Sequence, residues 1–163
     1  CVWKIQLPNK QFAALKRVSA LSAQPKKILY NEGKILQPLN HPGIVKFIAE
    51  GRSKESYFLV TEWVEGIPLE NNEKNIIQSL SLIDKDSFFH QLKDILEYLE
   101  KQNISHRDFW QRNILIDKQR PVLIDFGWAI SNNNKPTFTP PELKEPDDNK
   151  ALAQLITLLS PPL

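Results

Sequence analysis

Apolar and polar residues alternate at the start of the chain. Val2, Lys4 and Gln6 interleave with Trp3, Ile5 and Leu7. After the turn signal Pro8-Asn9-Lys10 the apolar pattern resumes from Phe12 to Val18, so residues 2–19 are expected to form two strands. The period then changes. Ile28, Ile35, Leu36 and Leu39 stand at i, i+7, i+8 and i+11, one face of a helix. Pro25 suits its first turn and Pro38 helps to end it. Glu32 lies on that apolar face at i+4. Taken by itself it reads as an edge carboxylate that reaches water, because an unpaired buried charge is costly.

Residues 44–49 and 57–61 read as strands joined by the polar turn Arg52-Ser53-Lys54-Glu55-Ser56. Residues 62–68 form a connector broken by Gly66 and Pro68. Beyond it Phe88, Phe89, Leu92, Ile95, Leu96 and Leu99 make a strong helical stripe over about 86–101. A loop around His106 to Arg112 leads into a hairpin. It pairs Ile114-Leu115-Ile116 with Val122-Leu123-Ile124 across Asp117-Lys118-Gln119-Arg120. The last helix covers 151–159, stopped by Pro161-Pro162, and Ser131-Asn132-Asn133-Asn134 is a polar loop. A strand-rich first third followed by a helical part predicts two lobes with a cleft at Glu62–Gly66.

Composition narrows the setting. The 163 residues are 41% hydrophobic and 25% charged, ordinary for one globular domain with a real core. A net charge of +2 gives no reason to expect nucleic acid or an anionic membrane as partner. Cys1 is the only cysteine, so no internal disulfide forms, which fits a reducing, cytoplasmic setting. No apolar run approaches the roughly 20 residues of a membrane helix, and no basic start precedes an apolar signal segment. The chain begins with Cys1 and has no methionine, as expected of a fragment, a processed product or an incomplete gene model. Oligomeric state is not legible.

The hairpin carries the candidate chemistry. Asp108 and Asn113 lie on the loop entering it, and Asp125 follows its second strand. A hairpin returns on itself, so these three oxygen-bearing side chains can converge at one end. Magnesium prefers oxygen ligands, usually one or two carboxylates plus phosphates, and an attacking hydroxyl needs a carboxylate to take its proton. Gly127, after Asp125-Phe126, is expected to adopt backbone angles that other residues resist.

His106-Arg107-Asp108-Phe109-Trp110-Gln111-Arg112-Asn113 resembles the catalytic loop of protein kinases, and Asp125-Phe126-Gly127 resembles that family's magnesium-binding motif. Ala14-Leu15-Lys16 resembles the strand whose lysine holds the ATP phosphates. Glu32 falls where the family's helix glutamate pairs with that lysine, which replaces the water-facing reading of this carboxylate. Asn40-His41-Pro42-Gly43-Ile44-Val45 is similar to the turn after that helix. Thr61 matches the gatekeeper and Glu62-Trp63-Val64 the adenine-binding hinge. Pro140-Pro141-Glu142 resembles the end of the activation segment, and Asp148 with Ala151-Leu152-Ala153 the start of the helix under the catalytic loop.

The resemblance implies an α+β, bilobal protein-kinase-like fold. A small antiparallel sheet lobe with one helix would cover residues 1–65, and a partial, mainly helical lobe 66–163. It implies Asp108 as catalytic base, Asn113 and Asp125 as magnesium ligands, Lys16 on the phosphates and Glu32 orienting it. Val2, Ala14 and Leu115 would sandwich adenine, with Glu62 and Val64 on its edge; plain core packing is nearly as good a reading of Val2, Ala14 and Leu115. His106 reads as a support of the loop. Arg107 reads as a partner for a phosphorylated loop residue or as half of a fixed ion pair. The implied cofactors are ATP and Mg2+, and the partner is a protein or small-molecule hydroxyl substrate.

This chain also departs from the family pattern. The glycine-rich loop is expected just before Val2, and the family's further helices after Leu159. Serine/threonine kinases place a lysine where Trp110 stands. Arg112 occupies the position of a tyrosine-kinase arginine and could supply positive charge near the transferring phosphate. The segment from Gly127 to Pro140 is short, Lys135 takes the usual substrate-threonine position, and Thr137 and Thr139 read as plain loop threonines. Asp125-Phe126-Gly127-Trp128-Ala129 also resembles compact bacterial kinase-like domains. Three functions follow: a protein kinase, a small-molecule or glycan kinase of the same fold, or a non-catalytic module.

Overall fold

The computed structural model describes residues 2–69, 84–131 and 147–159. Strands β1 (Val2–Gln6), β2 (Phe12–Ser19), β3 (Phe47–Arg52) and β4 (Ser56–Glu62) form an antiparallel sheet in the order β1-β2-β4-β3. The two strands expected over 2–19 are present, joined through Pro8-Asn9-Lys10, where Lys10 has φ 67°. Helix α1 (Ala23–Leu36) packs on this sheet through Leu29, which meets Tyr57 and Leu59 in a small apolar cluster.

The buried face of α1 differs from the expected one. It comprises Leu29, Asn31, Glu32, Gly33, Ile35 and Leu36, while Ile28 is only half-buried. Two polar side chains thus share the core side of the helix, and Glu32 is 2% exposed, so the water-facing reading fails. The N-terminal end of α1 is weakly supported, while Lys34 in the last turn suits the C-terminal end. Ser22 makes no side-chain cap, and the first turn holds no acid but does hold Lys26, the wrong sign for a helix N-terminus.

Helix α2 (Lys85–Lys101) is built differently. Asp84 caps it by accepting from Ser87 N–H at 3.2 Å, with Asp86 in the first turn and Lys101 in the last. Its stripe Phe88, Leu92, Ile95, Leu96 and Leu99 is buried. Helix α3 (Asp148–Leu159) buries Ala151, Leu152, Leu155 and Leu159 in the same core, which also takes in Ile35 and Leu36 of α1. It begins three residues before the expected start, at Asp148, because Asp147 caps it: the Asp147 carboxylate accepts from Asn149 N–H at 3.0 Å and Lys150 N–H at 3.1 Å.

Short strands β5 (Ile67–Pro68), β6 (Ile104–Ser105), β7 (Ile114–Asp117), β8 (Arg120–Leu123) and β9 (Ile130–Ser131) complete the described elements. The expected hairpin β7–β8 is present but with a tighter turn: Ile114 pairs with Leu123, Leu115 with Val122, Ile116 with Pro121 and Asp117 with Arg120, so only Lys118 and Gln119, both at positive φ, form the turn and Ile124 lies beyond the strand. Residues 44–49 are not one strand. Val45 N–H donates to Leu123 O at 3.0 Å and Leu123 N–H to Gly43 O at 2.8 Å, so this stretch first joins the hairpin. Only from Phe47 does it join the sheet, with a register shift between Phe47 and Ala49. It thereby ties the sheet to the hairpin. Among the described residues no helix is long and apolar enough to cross a membrane. Cys1, Asn132 to Asn134, Lys135, Thr137, Thr139, Pro140, Pro141, Glu142, Pro161 and Pro162 lie outside the described residues.

Candidate active site

A cavity of about 330 Å³ opens between the four-stranded sheet and the hairpin. Val2, Ala14, Lys16, Glu32 and Thr61 line one side, Glu62, Val64 and Gly66 the connector, and Leu115 and Asp125 the other. Strand geometry puts them there. Ala14 and Lys16 are two apart on β2 and so share a face, with Val2 paired to Lys16 and Thr61 to Ala14. Gly66 permits the connector's close approach to the hairpin. A Cβ there would lie 2.8 Å from Leu115 Cβ and 3.1 Å from Ile116 O. Glu62 is anchored on both sides of its peptide: its N–H donates to Lys46 O at 2.9 Å, and its carboxylate accepts from Lys46 N–H at 2.9 Å. Val45, Trp63, Pro68 and Ile124 also line the cavity. Trp63 was legible only as part of the hinge. Its ring lies 4.9 Å from the ammonium of Lys4, which also stands 4.4 Å over Phe12 and pairs with Glu65.

At the inner end Lys16 Nζ lies 2.6 Å from Glu32 Oε1 and 3.6 Å from Asp125 Oδ1. The sequence pairing of Lys16 with Glu32 is therefore a direct ion pair, with Asp125 drawn in. Burial opposes the charge on Lys16, but attraction to Glu32 and Asp125 outweighs it and holds the ammonium above the usual lysine range. Burial pushes the Glu32 carboxyl up to about 7 from 4.5, against the pull of Lys16 and a Phe126 backbone hydrogen bond. Between these two values the folded state holds a proton that the unfolded chain has released, so this group's contribution to stability falls as pH rises. Glu32→Gln is expected to gain on the wild type, by on the order of 1–3 kcal/mol between pH 5 and pH 8. Urea unfolding of both proteins at the two pH values reads the difference; a constant gap would contradict it.

The second cluster surrounds Asp108. Arg112 Nη2 donates to both Asp108 carboxylate oxygens at 2.9 Å. Asn113 Nδ2 donates to Asp108 O and Oδ2, each at 2.8 Å. Asn113 is held in turn by a 3-10 turn (Gln111–Asn113) and is 4% exposed. Ile124, just before Asp125, joins the two clusters: its N–H donates to Asn113 O at 2.9 Å and its carbonyl bonds His106 Nε2 at 3.1 Å.

His106 supports the loop. It is fully buried, and burial holds its imidazole below the usual histidine range, so it is neutral. Nε2–H donates to Ile124 O while Nδ1 accepts from Asp108 N–H at 3.3 Å. Phe126, also fully buried, packs edge-on against the ring at 4.6 Å. Below, the Asp148 carboxylate accepts from His106 N–H at 2.6 Å, Arg107 N–H at 2.8 Å and Ser105 Oγ at 3.0 Å. The first residue of helix α3 thus bonds this loop with its carboxylate. The sequence offered Asp148 only as a helix start.

The backbone strain falls elsewhere than expected. Among the described residues no glycine has a positive φ, whereas Asp125 has φ 63° and Arg107 φ 65°. Gly127 is needed for proximity: a Cβ there would lie 2.5 Å from Ile28 Cγ2. Helix α1 thus rests directly on the loop that follows Asp125. Asn31, which the sequence reading passed over, makes that contact polar. The signal for it was the same as for Glu32, a polar residue on the core side of an apolar helix.

The described residues hold no group of three or more His, Cys, Asp or Glu able to bind a metal by themselves. The protein kinase domain family matches residues 1–145, and the chain belongs to that family. Curated relatives include the probable serine/threonine-protein kinase mkcD of Dictyostelium discoideum, 33% identical over 127 residues. That match covers 75% of this chain and 19% of the relative. The probable serine/threonine-protein kinase KIN1 homolog of Enterocytozoon bieneusi is 32% identical over 135 residues, 78% of this chain and 22% of the relative. The calcium/calmodulin-dependent protein kinase cmkA of Emericella nidulans is 35% identical over 115 residues, 66% of this chain and 27% of the relative. The chain thus spans between 19% and 27% of the length of these relatives. The family resemblance and the α+β fold class drawn from the sequence are both borne out.

Proposed function

We propose that this chain is the catalytic part of an ATP-dependent protein kinase that transfers a phosphoryl group to a serine, threonine or tyrosine hydroxyl. One observation carries the reading most: the Lys16 ammonium, bridged to Glu32 at 2.6 Å and Asp125 at 3.6 Å, lies on the wall of a 330 Å³ cavity. A cation held by two carboxylates at the end of a largely apolar slot suits a triphosphate whose base fills the slot.

The residue roles follow. Val2, Ala14 and Leu115 enclose the adenine, and the backbone of Glu62 and Val64 meets its edge. Lys16 neutralises phosphate charge and Glu32 keeps it in place. Asn113 has committed Nδ2 to Asp108 and so offers its oxygen to a cation, alongside the Asp125 carboxylate. An amide and one carboxylate suit magnesium, which takes its other ligands from phosphate and water. When bound, the ion offsets charge on the phosphates. Asp108 orients the acceptor hydroxyl and takes its proton. The two lobes, 1–65 and 66–163, would meet at the connector.

A second reading keeps the site and changes the acceptor to a sugar or another small molecule. Trp110, in the place of the serine/threonine-kinase lysine, favours it. Phosphate incorporation into protein, set against incorporation into sugars or lipids, separates the two. For either acceptor, Asp125→Ala in the full-length protein is expected to abolish magnesium-dependent ATP turnover. Turnover equal to wild type would remove Asp125 as the metal ligand.

A further inference from the structure

We propose that Asn31 is a positioning residue for the metal-binding loop, fixing Asp125 by holding the main chain that follows it. The inference rests on the kinase reading for its consequence, but not for its geometry. Asn31 is 5% exposed and lies in α1 next to Glu32. Its Nδ2 donates to Gly127 O at 3.1 Å and to Ala129 O at 2.8 Å. Both amide hydrogens are thus spent on backbone carbonyls nearly a hundred residues away. Those bonds bracket a turn closed by Ala129 N–H to Phe126 O at 3.1 Å.

Two features make the clamp consequential. Asp125 sits at φ 63°, a conformation that persists only where its surroundings hold it. And Ala129 leads straight into β9, whose Ile130 pairs with Ser105, the residue before His106. One amide on α1 therefore fixes the segment between the metal carboxylate and the catalytic loop. Glu32, the next residue on the same helix, fixes Lys16. A shift of α1 would disturb both at once. Asn31 bonds main-chain oxygens only, so it holds the loop whatever side chains the loop carries.

Partners that orient a metal ligand typically cost roughly 10–100-fold in metal affinity or activity when removed. Asn31→Leu, similar in volume but without donors, is expected to raise the magnesium concentration for half-maximal turnover about tenfold or more. Amide hydrogen exchange across 125–131 should rise, with the β1–β4 sheet unchanged. Asn31→Asp supplies a second test should the leucine variant fold poorly. At pH 8 its carboxylate faces two carbonyl oxygens and the loop loosens. Towards pH 5.5 protonation restores one donor, and the ratio of variant to wild-type exchange across 125–131, compared at the same pH, should fall back towards one. Wild-type exchange over 125–131 in both variants, at both pH values, would overturn the proposal. The exchange is read without nucleotide, so a wild-type protein that lacked kinase activity would remove the kinase reading and leave this test standing.

Discussion

Asp108→Asn is expected to lower the phosphoryl-transfer rate by about 10²–10⁴-fold, the usual contribution of a positioned base, with little change in the thermal midpoint. The asparagine is nearly isosteric and keeps one oxygen for Arg112 or Asn113, so the loop should remain in place. What it lacks is the second oxygen that receives a proton. Nucleotide affinity should hold, because Asp108 is outside the residues that line the cavity. Single-turnover rates and nucleotide titration on the same preparation separate the two quantities. A rate within threefold of wild type would strip Asp108 of its role. A lost thermal transition would instead show that its bonds to Arg112 and Asn113 are mainly structural.

The largest loss of stability is expected from Asp148→Ala, about 3–5 kcal/mol. Three donors converge on this carboxylate, two of them backbone N–H groups of His106 and Arg107. Alanine leaves both N–H groups without an acceptor in a largely buried place, and removes the support for the positive φ of Arg107. Asp148→Asn keeps one acceptor oxygen and should fall between. Urea unfolding midpoints rank the three proteins. A loss below about 1 kcal/mol for the alanine variant would mean that solvent replaces the carboxylate, and that the loop stands without it.

The strands at 2–19, the α2 stripe and the β7–β8 hairpin were legible because each rests on local periodicity or a turn signal. The motifs around Asp108 and Asp125 were readable through their resemblance to the family, and the structure places Asn113 on Asp108 and Asp125 beside Lys16. What escaped depended on contacts between distant segments. Residues 44–49 share alternation with an ordinary strand, yet Val45 bonds Leu123 before Phe47 reaches the sheet. Nothing in the local pattern marks that division. Gly127 looked like a position of unusual backbone angle, but the constraint is the approach of Ile28 from a helix about a hundred residues earlier. Asn31 and Asp148 were ordinary polar residues until their acceptors and donors came into view. The bond from Arg112 to the carboxylate of Asp108 likewise became visible only in the fold.

Helix α1 lacks a side-chain cap and carries Lys26 in its first turn, so its N-terminal end has little local electrostatic support, whereas Lys34 in the last turn has the favourable sign. Its position is set by what it touches: the sheet through Leu29, Lys16 through Glu32, and the loop after Asp125 through Asn31. Because one helix carries all three contacts, the parts of the site they hold are coupled in their assembly. Lys16 and the loop after Asp125 come into register together, and any event that frees the helix releases both.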